Sequence, residues 1–111
     1  MIYVPHNTIG DRLAVDTRAF GQLVEVLGPD QSIVADSKEV ARTVTYGLRE
    51  FDIERDFFLP IGDPALIAIF AQTLARDIPN AYRNDGPTSC YYKMLRWDSR
   101  RHEYDVITIR V

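Results

Sequence analysis

Cysteine is almost missing from this chain of 111 residues, where Cys90 stands alone. A single thiol excludes an intramolecular disulfide and leaves a cysteine-based zinc site short of ligands. Histidine is nearly as scarce: His6 and His102 fall in different loops without HxxxH-like spacing, so little points to a metal centre. No apolar run spans a bilayer. The longest near-apolar stretch, Ala65 to Ala71, falls far below the roughly 20 residues that a membrane helix needs. The opening residues, MIYVPHNTIGD, have neither the basic start nor the apolar core of a signal peptide. The expectation is a soluble, intracellular protein without a membrane partner.

The motifs of common chemistry are lacking as well. There is no GxGxxG and no Walker-type Gly-Lys-Ser/Thr, and none of Ser32, Ser37, Ser89 or Ser99 lies in a G-x-S-x-G elbow. The acidic run Glu50, Asp52, Glu54, Asp56 lacks the glycine and the spacing of a calcium loop and reads as a solvated connection, with Asp56 bonding local backbone. A formal net charge of −3 gives no global attraction to nucleic acid or anionic membrane. No cofactor is expected.

What remains is ordinary globular composition, 46% hydrophobic and 26% charged, in a length that accommodates one domain over residues 1–111. Ile2 to Val4 reads as a strand stopped by Pro5; Ala14 to Phe20 is ambiguous; GQLVEVL, from Gly21, reads as a second strand ending at Gly28-Pro29-Asp30. Asp36 and Glu39 form a capping-box-like pair before Val40, Val44, Leu48 and Phe51, which recur at helical spacing on a narrow stripe suited to lying on a sheet. A short apolar third strand after Asp56 breaks at Gly62, and Asp63 caps a second helix with Pro64 at its first position. Residues 77 to 90 read as a loop. The runs YYKMLRW and YDVITIRV then form a hairpin, with Ile107, Ile109 and Val111 facing the core. The predicted class is α/β: a small single-layer sheet of four to five strands, a βαβ crossover between the second and third strands, two helices and a C-terminal hairpin.

Two surfaces stand out. The second helix shows no polar side chain from Ala65 to Ala71, so burial on more than one side is expected, either under the N-terminal segment or, with Leu66, Ile69 and Phe70, at an interface between two copies. The hairpin interleaves Lys93, Arg96, Arg100 and Arg101 with Trp97 and Tyr104, a mixture that can stack bases and neutralise phosphates. Strand aromatics equally serve cross-strand packing, and Asp98, Glu103 and Asp105 blunt the field. Cys90 reads as a partly buried bystander rather than a nucleophile. The Gly62-Asp63-Pro64 turn reads as a helix cap, because a carboxylate there opposes phosphate binding.

The IYV opening, Phe20-Gly21-x-Leu-Val, Leu48 to Phe51, Asp56, Leu59-x-x-Gly62-Asp63-Pro64, and Leu95-Arg96-Trp97-Asp98 with Tyr104 together resemble a group of small proteins of tailed bacteriophages. The resemblance spans nearly the whole chain, with a longer loop at Asp77 to Ser89, and implies a phage origin and a compact α/β fold. It transfers no catalytic residues. The expected function is therefore non-enzymatic binding of a host or phage protein in the bacterial host cytoplasm, with homodimer formation. The alternative is a nucleic-acid-binding module built on the hairpin, and an enzyme ranks third.

Overall fold

The computed structural model describes residues 1–27, 38–81 and 90–111. The Gly28-Pro29-Asp30 turn, Asp36, Ser32, Ser37 and the loop residues 82–89 lie outside the described residues. In chain order the elements are β1 (Ile2–Val4), α1 (Arg12–Asp16), a 3-10 turn (Arg18–Phe20), β2 (Leu23–Glu25), α2 (Lys38–Gly47), β3 (Phe57–Phe58), α3 (Pro64–Ala81), β4 (Tyr91–Asp98) and β5 (Glu103–Arg110). The ambiguous stretch 14–20 is thus helical, and the second strand is shorter than its apolar run.

The fold is α/β, with five strands in one sheet of order β2-β1-β3-β4-β5. β1 pairs in parallel with both β2 and β3, β3 with β4 in parallel, and β5 closes the sheet antiparallel to β4. The second and third strands are therefore not neighbours, and the α2 connection passes across β1. The reason is visible in the strand itself: Ile2, Tyr3 and Val4 are all buried, and a strand apolar on both faces belongs at the centre of a parallel sheet.

Alternation along the strands divides the core in two. Tyr3, Phe58 and Tyr92 face α2 and α3 and meet Val44, Leu48, Leu66, Phe70 and Leu74. Ile2, Val4, Leu59 and Leu95 point the other way and meet Leu13 of α1 and, more peripherally, Phe20. Phe58 and Phe70 stack at 5.7 Å between centroids, and Tyr92 tilts against Phe58 at 6.3 Å. α2 approaches β2 so closely that a Cβ on Gly47 would collide with the Val26 side chain.

The expected interface on α3 is corrected by this packing. Leu66 is 5% exposed and Phe70 is fully buried inside the chain's own core, and Ile69 packs half-buried against the same cluster. Solvent instead meets Pro64, Ala65, Ala68, Gln72 and Ala75. The exposed part of that apolar run is alanine, Ala65 and Ala68, which is small and favours helix without needing burial. α3 also continues through Pro79 to Ala81, where a loop from Asp77 was expected. Pro79 withholds one N–H from the ladder, but buried Ile78 extends the Leu66, Phe70, Leu74 stripe by one more turn and holds it to the core. Ile107 and Ile109 are half-buried, whereas Val111 lies one residue beyond β5 and is exposed.

Few buried polar groups interrupt the core. Thr17 and Thr73 donate to the carbonyls of Leu13 and Ile69 one turn back, and Asp56 accepts from Asp52 N at 2.8 Å and from the Met1 amine at 2.9 Å. The prediction from this packing is that Phe70→Ala removes about 3–5 kcal/mol of stability, measured by urea unfolding, because the cavity opens between the sheet and a helix already held on both flanks.

Candidate functional site

The two faces of the sheet are covered unequally. Among the described residues, α2 and α3 spread across one face, while the other receives the five residues of α1 and the 3-10 turn. These cover β1, and among the described residues no helix lies over the outer half of the β4–β5 hairpin. The result is a cleft of about 580 Å³ at the carboxyl ends of β1 and β3, walled by Ile9, Pro60, Ile61, Leu95, Trp97 and Tyr104. Arg12 and Asp16 of α1 also line it, joined by an ion pair at 3.5 Å. Its size and its apolar walls with few polar groups are those of a binding site.

Register places the aromatic wall. Trp97 stands directly opposite Tyr104, and their rings meet edge-to-face at 5.0 Å. The hairpin turn is set by Asp98, whose Oδ1 accepts from Arg100 N and Arg101 N at 3.0 and 3.3 Å, followed by His102 at φ 54°. Trp97 is nonetheless 45% exposed, so half of the largest side chain in the protein faces solvent. Burial, and secondarily the charge of Asp16, raises the Tyr104 pKa above the ordinary tyrosine value. The phenol stays protonated and can donate a hydrogen bond into the cleft.

The Gly62 junction borders this cleft. Gly62 sits at φ 131° with its Cα against the His6 backbone, where a Cβ would come within 3.3 Å of the His6 carbonyl oxygen. Asp63 Oδ1 accepts from Ala65 N at 2.7 Å, satisfying one of the first-turn N–H groups behind Pro64. On the neighbouring loop His6 Nδ1 lies 2.8 Å from Glu25 Oε1, and Asn7 Oδ1 accepts from Ile9 N and Gly10 N. These bonds hold the β1–α1 loop in place and so fix Ile9 at the cleft.

Of the hairpin cations, Arg96 lines the cleft together with Trp97, whereas Lys93, Arg100 and Arg101 do not. Lys93 Nζ donates to Glu54 O at 2.6 Å and lies over the Phe57 ring, Arg96 pairs with Asp105 at 3.7 Å, and Arg101 lies between Asp98 and Glu103 at 3.9 and 3.8 Å. Arg96 leaves the strand on the side opposite Trp97, because neighbours on a strand alternate, and borders the cleft while paired with Asp105. The Arg100 side chain is exposed near the turn. His6 and His102 belong to separate sites, and among the described residues no cluster of metal-ligating side chains occurs. Cys90 is buried.

A phage protein family matches residues 14–111, nearly the whole chain, and its description is Phage Pam3 gp32-like protein. The chain belongs to this family. No curated protein and no solved structure matches it. Among the described residues no helix is long and apolar enough to cross a membrane.

Sequence reasoning found Trp97 and Tyr104 but missed Ile9, Arg12, Asp16 and Ile61, which reach the cleft from a loop, a five-residue helix and a strand end. The available signal was the turn chemistry of Asn7 to Asp11, which marks a tight loop able to present Ile9. At the junction, Asp63→Ala should cost about 0.5–2 kcal/mol in thermal unfolding and Asp63→Asn far less, since asparagine caps without charge. Equal losses for both would show that the carboxylate does more than accept the Ala65 N–H.

Proposed function

We propose that this phage-family protein is a non-enzymatic binding protein, acting in the host cytoplasm, whose cleft receives apolar and aromatic side chains of another protein. The observation that supports it is a half-exposed Trp97 on a wall of apolar side chains at the open end of the sheet. Solvent-facing tryptophan beside a concave apolar surface is the composition of an interface hot spot, with an Arg at its rim for orientation. The chain has a single tryptophan, so its fluorescence reports this surface directly. With wild-type and Trp97→Ala baits in host lysate, a genuine partner is enriched only on the wild type. Once purified, it blue-shifts the Trp97 emission and binds Trp97→Ala at least about 30-fold more weakly. Equal capture by both baits, or an unchanged spectrum, would sink this reading.

A second reading is nucleic-acid binding, and it is favoured at α2 rather than at the hairpin. Lys38, Arg42, Tyr46 and Arg49 line one shallow groove together with Arg76 of α3, and Tyr46 is 67% exposed with the Arg49 guanidinium 3.8 Å from its ring centroid. Cations around a stackable ring suit single-stranded nucleic acid. The expected result is binding that weakens with salt and falls in an Arg42→Ala, Arg49→Ala double variant while Arg101→Ala retains it. A fluorescence-anisotropy titration that shows no binding at low salt removes this reading.

A further inference from the structure

We infer that the outer edge of β5 is an interaction surface separate from the cleft, and that its occupant is β5 of a second copy of this chain, forming one continuous ten-stranded sheet. The inference goes beyond the cleft reading and does not depend on it. β5 is eight residues long and, among the described residues, is paired on one side only. The opposite edge, β2, has three residues.

Val111 N donates to Cys90 O, which makes Cys90 and Val111 a hydrogen-bonded pair of the antiparallel ladder. The alternation then gives Ile109, Ile107, Asp105 and Glu103 the inward bonds to β4 and turns the backbone groups of Tyr104, Val106 and Thr108 outward. Two of the devices that normally blunt such an edge, proline and a bulge, are missing here, and the charges the strand carries are Glu103, Asp105 and Arg110. The strand contains no proline and no lysine, and its register with β4 runs unbroken from Tyr91↔Arg110 to Asp98↔Glu103, so no bulge twists it away. The charge of Asp105 is already matched by Arg96.

The edge is also complementary to itself. A two-fold axis perpendicular to the sheet keeps each face on its own side, and centring it on Ile107 overlaps residues 104 to 110 in full. That register sets Tyr104 opposite Arg110, Val106 opposite Thr108 and Asp105 opposite Ile109 of the second copy, so no like charges face each other. Exposed Val106, at 45%, gains a β-branched neighbour on the same face. Both clefts of the pair would open on one side of the joined sheet, presenting two equivalent binding sites to a partner.

The test is light scattering on the full chain across micromolar concentrations, with Val106→Pro as the variant. Val106 donates nothing to β4, so proline there removes an outward N–H and leaves the inward ladder intact. The expected result is a wild-type species of twice the 12.7 kDa chain mass at high concentration, and dissociation at least roughly tenfold easier in the variant, because two-fold symmetry repeats the lost contact. Amide exchange on the wild type supplies a second readout that needs no variant: Tyr104, Val106 and Thr108 amides should slow as concentration rises. A monomer at every concentration overturns the inference. So does a dimer that Val106→Pro leaves unchanged, or one whose 104, 106 and 108 amides stay unprotected, since either would place the contact elsewhere. Neither result bears on Trp97, so failure here and failure of the cleft reading are distinguishable.

Discussion

Everything in this fold follows from the burial of β1. Three residues, each buried, pair in parallel with strands on both sides, and such a strand is stable only when both faces of the sheet are covered. One face is closed by two packed helices, with the Phe58 and Phe70 rings stacked at its centre. Among the described residues the other face has α1 and a 3-10 turn, which bury Ile2 and Val4 through Leu13. The cleft is therefore a direct consequence of unequal helix lengths on the two faces, and its position at the carboxyl ends of β1 and β3 is where open α/β sheets offer their crevices.

The two aromatic residues in the cleft serve stability, and in the proposed binding role they would serve recognition as well. Trp97 and Tyr104 are cross-strand neighbours, and their edge-to-face contact contributes about 0.5–1.5 kcal/mol to closing the hairpin. The same contact fixes the indole in one orientation, so an incoming partner meets a surface whose side-chain entropy is already spent. Three bonded loops surround it: Asn7 holds the loop that carries Ile9, Asp63 caps the helix after Ile61, and Asp98 sets the turn after Trp97. The wall is assembled from separate parts of the chain, each anchored by a short polar side chain to nearby backbone.

Periodicity made much of the architecture readable. The alternation in β4 and β5, the Val40, Val44, Leu48 stripe and the Asp63-Pro64 helix start are local patterns, and local patterns survive into three dimensions when packing agrees with them. Strand order was not local: that β1 separates β2 from β3 depends on which strand is apolar on both faces, a comparison among elements. The α3 expectation failed for another reason. Apolarity was counted without weighing size, and alanines at 65, 68 and 75 lie on a solvent face that a larger side chain would have revealed as exposed. The site was half legible, because aromatics announce themselves in a strand whereas Ile9, Arg12 and Asp16 gain meaning only once α1 is laid beside the hairpin.

The change from parallel to antiparallel pairing at β4 decides where binding surface can exist. Parallel strands as short as β1 and β3 have few bonds of their own and must be buried on both sides, so they have no face to offer. The β4–β5 ladder is eight residues deep on each strand, and an antiparallel ladder tolerates water on one face when the other is packed. Tyr92 and Ile109 supply that packing against the α2–α3 core, which frees the opposite face to display Trp97, Tyr104 and Val106. Among the described residues the helix on that face is α1, five residues long, whose one buried side chain is Leu13. The shortness of that helix is therefore the structural feature on which a binding role for the hairpin rests.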